Sequence, residues 1–105
     1  MLFALLAVAA QTISAQVNSA EKAAKSFVVA WKNGSRAQAR KFASETAVAE
    51  LFKTNGKNAG WQFISCGKRK TGANCSFYYE GGAAIMRVVK KGSAFQVAGI
   101  SFRAD

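Results

Sequence analysis

The spacing of apolar residues along this chain changes twice, and each change marks a boundary. From Met1 to Ala10 they run almost without interruption, from Ala20 to Phe52 they recur every three to four residues, and from Trp61 to Arg103 they alternate. A helix repeats its face about every 3.6 residues and a strand every two, so the middle stretch predicts helices and the last predicts strands. Asn18-Ser19-Ala20-Glu21 supplies a helix start, with Asn18 as cap and Glu21 three residues on. Ala20, Ala24, Phe27, Val28 and Trp31 then form one apolar face, and Lys22, Lys25 and Lys32 fall on the other side. Asn33-Gly34 ends that helix and Ser35 caps a short second one, Arg36 to Ala43, which offers Ala39, Phe42 and Ala43 to a core. Ser44 with Glu45 begins a third, whose buried face is Val48, Leu51 and Phe52.

Thr54 to Gly60, with two glycines and two asparagines, is a loop. Beyond it Trp61 to Cys66, Asn74 to Glu80, Ala83 to Lys90 and Ala94 to Arg103 read as four strands. Their links, Gly67 to Ala73, Gly81-Gly82 and Lys91-Gly92-Ser93, are short enough to favour an antiparallel meander. The expected fold class is α+β, with N-terminal helices packed on one face of a four-stranded antiparallel sheet.

The first fifteen residues carry no charged side chain and end in Ser14-Ala15-Gln16, small and polar after the apolar run. That pattern predicts a secretory signal peptide over 1–15, cleaved after Ala15 rather than Ala9, although no Lys or Arg precedes the apolar run. The apolar run is too short to span a bilayer, which needs about 20 residues. A buried N-terminal helix is the alternative. The remaining 16–105 make one domain of modest core, and the expected location is periplasmic, cell-envelope or extracellular.

Cys66 and Cys75 are the two cysteines, and the chain has no His. An even count in an exported chain predicts a disulfide. Two cysteines cannot complete a tetrahedral zinc site, and a nucleophilic cysteine lacks its His partner; no cofactor or metal is expected. Pairing Cys66 with Cys75 in a regular ladder sets Ile64 opposite Phe77 and Gln62 opposite Tyr79 on the cysteine face. Phe63 then faces Tyr78, and Trp61 faces Glu80, on the other.

The net charge is +10, from fifteen Lys+Arg against five Asp+Glu, all beyond the apolar leader. Such an excess attracts polyanions, whether nucleic acid, anionic lipid, acidic glycan or teichoic acid. It is equally the mark of a solvated basic surface, because charge alone carries no specificity.

The run Ala24 to Arg36, then Ala47-Val48-Ala49-Glu50-Leu51-Phe52, then Gly60-Trp61-Gln62-Phe63 and two cysteines on adjacent strands resembles small exported bacterial proteins of the nuclear-transport-factor-2-like, or cystatin-like, superfamily. The resemblance covers most of the mature chain. It implies a cone-shaped α+β fold, and it carries no functional residue across, since the matching positions are core and turn. Asn33-Gly34-Ser35 also lacks the acid of the Gly-Asp-Arg-like turn in those proteins.

Enzymes of that superfamily use a pocket between helices and sheet, which here draws attention to Arg87, Tyr78 and Glu80. A buried Glu beside a Tyr can act as base and hydrogen-bond donor if its pKa is raised. Glu80, however, ends a strand next to two glycines, while Glu21 and Glu45 sit where helix starts favour negative charge. No nucleophile–base or metal constellation can be assembled, so a non-catalytic role is expected. Arg87, centred in the apolar run Ile85 to Val89, is either an anion ligand facing a pocket or ordinary strand alternation facing water. Asn33-Gly34-Ser35 and Asn74-Cys75-Ser76 match the glycosylation sequon, which matters only in a eukaryotic host.

The sharpest local signal is Lys68-Arg69-Lys70, in the link of the hairpin closed by the two cysteines, with Lys57 as a further cation. Three cations on a braced tip suit phosphate or sulfate groups, and Trp61, Tyr78 or Tyr79 can add a stacking surface. Gly67 to Gly72 is no phosphate-binding loop, for it lacks the Gly-Lys-Ser/Thr sequence and leads into no helix. Arg36 and Arg40, four apart on the short helix with Lys41 beside them, form a second basic group. The leading expectation is an exported, non-catalytic binding protein whose basic surface meets an anionic partner through Lys68, Arg69, Lys70, Arg36 and Arg40. A small-molecule pocket or minor enzyme using Arg87, Tyr78 or Glu80, and a protein–protein assembly module, are the alternatives.

Overall fold

The computed structural model describes residues 19–54 and 59–104. The apolar leader, the Asn18 cap and Lys57 therefore lie outside the described residues. Helix α1 runs through residues 19–32, followed by α2 (Arg36–Ala39), α3 (Glu45–Phe52) and strands β1 (Gln62–Arg69), β2 (Gly72–Tyr79), β3 (Gly82–Lys91) and β4 (Ala94–Ala104). The strands form one antiparallel sheet in the order β1-β2-β3-β4. The α+β expectation holds, with the helices on one sheet face.

Local chemistry accounts for the helix ends. Gly34 takes φ 72°, which lets its N–H reach the Trp31 carbonyl and the Ser35 N–H reach that of Ala30, both at 2.9 Å. Those two bonds satisfy carbonyls that the end of α1 would leave open. The Ser35 hydroxyl accepts from the Gln38 N–H, and the Ser44 hydroxyl from the Ala47 N–H, capping α2 and α3. Helix α2 ends at Ala39 instead of reaching Ala43. The chain there turns to the outer edge of β4, where the Val97 N–H donates to the Phe42 carbonyl (2.8 Å) and the Ser44 N–H donates to that of Val97 (2.9 Å). Val97 is fully buried, so its edge-facing backbone groups need partners, and that need overrides one more helical turn.

The predicted inward face of α1 is the observed one: Ala20, Ala24, Phe27, Val28 and Trp31 are all buried, together with Ala23 and Ala30. They meet Phe77, Cys75, Ala73, Ala84, Met86, Val88 and Val97 of the sheet and Val48 and Leu51 of α3 in one core. At one end of the sheet the core is aromatic. Trp61 stacks on Tyr79 (4.9 Å between centroids) and meets Trp31 edge-on (4.9 Å), while Phe63 meets Phe77 at 5.5 Å.

The register of the first hairpin differs from the regular ladder. Cys66 is bonded to Cys75 as expected, but Phe63 pairs with Phe77 and Gln62 with Tyr78, because β1 bulges between Phe63 and Ser65. A regular ladder would put Gln62 inside and leave Trp61 and Phe63 in water. One extra residue in β1 reverses every side chain before it. Trp61 becomes buried, and Ile64, at the bulge, is 55% exposed.

Candidate anion-binding site

The link expected over Gly67 to Ala73 is mostly strand. The ladder continues from the disulfide through Gly67/Asn74, Lys68/Ala73 and Arg69/Gly72, leaving Lys70 and Thr71 as the turn. Strand alternation then separates the cations. Lys68 falls on the cysteine face, which is the core face, at the end the helices leave open. Arg69 falls on the opposite face, where its Nη1 donates to Asn74 Oδ1 at 3.3 Å. Gly72 makes the close approach possible, because a Cβ there would lie 1.9 Å from the Val88 carbonyl oxygen.

The second hairpin tip ends beside the first. Lys90 donates its N–H to the Thr71 carbonyl at 3.3 Å and pairs across β3–β4 with Phe95. The two tips enclose a cleft of about 340 Å³ lined by Lys68, Arg69, Lys70 and Lys90, with Phe95 among its other walls. No carboxylate lines it. The ion pairs of the described residues are Lys25–Glu21 (2.9 Å) and Arg40–Glu45 (3.0 Å), so none takes up a cation of this cleft. A second cleft of about 260 Å³ adjoins it, sharing Phe95 and lined by Lys22 of α1 and Lys41 after α2. It too has no acidic side chain.

The other basic group stands apart. Arg36 lies over the Phe52 ring, 4.8 Å from its centroid, and Arg40 is held by Glu45; neither lines either cleft. Arg36 rests on a ring and Arg40 pairs through its Nε with Glu45, while Lys41 of the same segment lines the second cleft beside the tips.

Arg87, Tyr78 and Glu80 are all exposed and line neither of the two clefts. Tyr78 and Arg87 belong to the uncovered face of the sheet, and Glu80 sits in the β2–β3 turn. The Arg87 guanidinium lies across Gly99, with Nη2 3.3 Å from where a Cβ would stand. That arrangement brings no acid–base pair into a cavity and withdraws the support for a pocket built on these three residues. Trp61 and Tyr79, named as stacking candidates for the tip, belong instead to the aromatic core at the other end. Among the described residues no group of three His, Cys, Asp or Glu side chains is placed to hold a metal, and no helix is long and apolar enough to cross a membrane.

Lys90, Lys22 and Phe95 are the functional candidates that sequence reasoning missed, while Lys41, read there with Arg36 and Arg40, lines the cleft that they do not. Lys90 and Phe95 could have been found by extending the β3–β4 ladder to its turn. Nothing local ties Lys22 or Lys41 to the tips, since each is an ordinary solvent-facing lysine until the helical layer and the tips meet. Comparison of the chain with protein-family models, with curated proteins and with solved structures gives no match.

Proposed function

We propose that this protein is an exported, non-catalytic binding protein that holds an anionic partner in the cleft between its two hairpin tips. The observation that carries this reading is the cleft itself: Lys68, Arg69, Lys70 and Lys90 surround one concave space with no carboxylate on its walls. Like charges gathered in a concave site with no internal counter-ion favour an external one, and the surrounding +10 charge steers it inward. Export is supported by the apolar leader and by the disulfide, which persists in an oxidising compartment. The cystatin-like arrangement, with its cone-shaped sheet, is the fold proposed for the domain on the strength of the sequence resemblance.

The test is binding of the oxidised protein to inorganic polyphosphate across a salt series, compared with Lys68→Ala/Arg69→Ala/Lys70→Ala. Loss of most of the affinity in the triple variant, with melting temperature unchanged, supports the cleft. Equal affinity of parent and variant for polyphosphate, DNA and acidic glycan alike rejects it.

A further inference from the structure

Phe95 lines both basic clefts, and it is half-buried rather than sealed in the core. On one side of it stand Lys68, Lys70 and Lys90 from the hairpin tips, and on the other Lys22 and Lys41 from the helical layer. Two clefts of about 340 and 260 Å³ that meet at one ring are more than a single phosphate-sized ion can fill. The arrangement suits a chain that alternates negative groups with flat rings. Resting on the cleft reading above, we propose that the two clefts form one track for a single-stranded nucleic acid, with a base on Phe95 and phosphates on the lysines either side.

Two features choose this polymer among polyanions, the ring between the charges and the access that it requires. The cations are five lysines and one arginine, Arg69, which is already engaged with Asn74. Lysine acts as a compact point charge that attracts phosphodiester, sulfate and carboxylate alike, so the charges set the anionic class and the ring selects within it. The half-open aromatic ring between the charges needs a planar partner, and a base offers its π-face whatever its sequence. A duplex keeps its bases stacked inside, so only an unpaired strand can lay a base on a ring in the wall of a cleft.

The experiment measures fluorescence anisotropy of labelled dT12, with inorganic polyphosphate and polygalacturonate as competitors, across a salt series. It uses the parent, Phe95→Leu, Phe95→Tyr, Lys22→Ala/Lys41→Ala and Lys68→Ala/Arg69→Ala/Lys70→Ala. The expected result is that Phe95→Leu weakens dT12 about tenfold and leaves polyphosphate unaffected, while Phe95→Tyr retains dT12 binding. Lys22→Ala/Lys41→Ala, whose lysines are exposed and cannot unfold the domain by their loss, should lower the salt slope by about 1.4, or about 0.7 per phosphate contact on a single strand. If both Phe95→Leu and the Lys22/Lys41 variant bind dT12 as the parent does, the track is overturned; the cleft reading survives provided the tip triple variant still loses affinity. Equal losses for dT12 and polyphosphate in Phe95→Leu, or displacement of dT12 by polygalacturonate at lower concentration than by unlabelled dT12, overturn the nucleic-acid assignment. No dependence on the tip triple variant overturns both readings.

Discussion

At the scale of single residues, the hairpins depend on positions where nothing larger fits. A Cβ at Gly72 would meet the Val88 oxygen at 1.9 Å, and one at Gly82 the Arg103 oxygen at 2.2 Å. Both neighbours are backbone, so relief requires moving a strand. Gly72→Ala and Gly82→Ala should each cost about 1–3 kcal/mol in denaturant melts. The Cys66–Cys75 bridge spans a sequence separation of 9, a short loop whose closure contributes about 2.5–3 kcal/mol in the chain-entropy account. Cys66→Ala/Cys75→Ala should fall in stability by that order, and a protein insensitive to reductant would contradict it. Ser44 works twice, accepting from the Ala47 N–H and donating to the Ala98 carbonyl at 3.4 Å. Its replacement by Ala should cost about 1 kcal/mol.

At the scale of elements, the bulge in β1 is the decisive feature. It sends Trp61 and Phe63 inward and Ile64 outward, and the disulfide holds the rest of the ladder in step. Ile64→Lys should therefore leave stability within about 0.5 kcal/mol, although Ile64 is the most apolar residue of its strand. Phe63→Lys should cost several times more, since Phe63 packs on Phe77 and under Lys25. A large loss for Ile64→Lys would mean that the regular register, not the bulged one, is populated. The helices were legible because capping residues and a 3.6-residue face act locally. The end of α2 was not, because its cause is a pair of hydrogen bonds to Val97, more than fifty residues away.

At the scale of the molecule, the sheet has an aromatic end around Trp31, Trp61 and Tyr79 and a cationic end at the hairpin tips. Its uncovered face carries Ser65, Ser76, Asn74, Tyr78, Arg87 and Arg103 in register rows, with Ala83, Ile85 and Val89 set among them. Charge separation of this kind predicts that single-lysine changes at the tips lower the association rate with a polyanion and its salt dependence together, as stopped-flow mixing at two ionic strengths would read. By itself, the amino-acid order determined the helical and strand halves, the inward face of α1, the caps at Ser35 and Ser44, and the pairing of the two cysteines. Each of these rests on residues near in sequence or on an arithmetic of two. Only the tertiary structure decided which face of β1 is buried, where α2 stops, and which lysines share a cleft. Those outcomes depend on partners brought together from distant segments. A lysine reads the same in a sequence whether it faces open water or, like Lys22 and Lys41, the ring of Phe95.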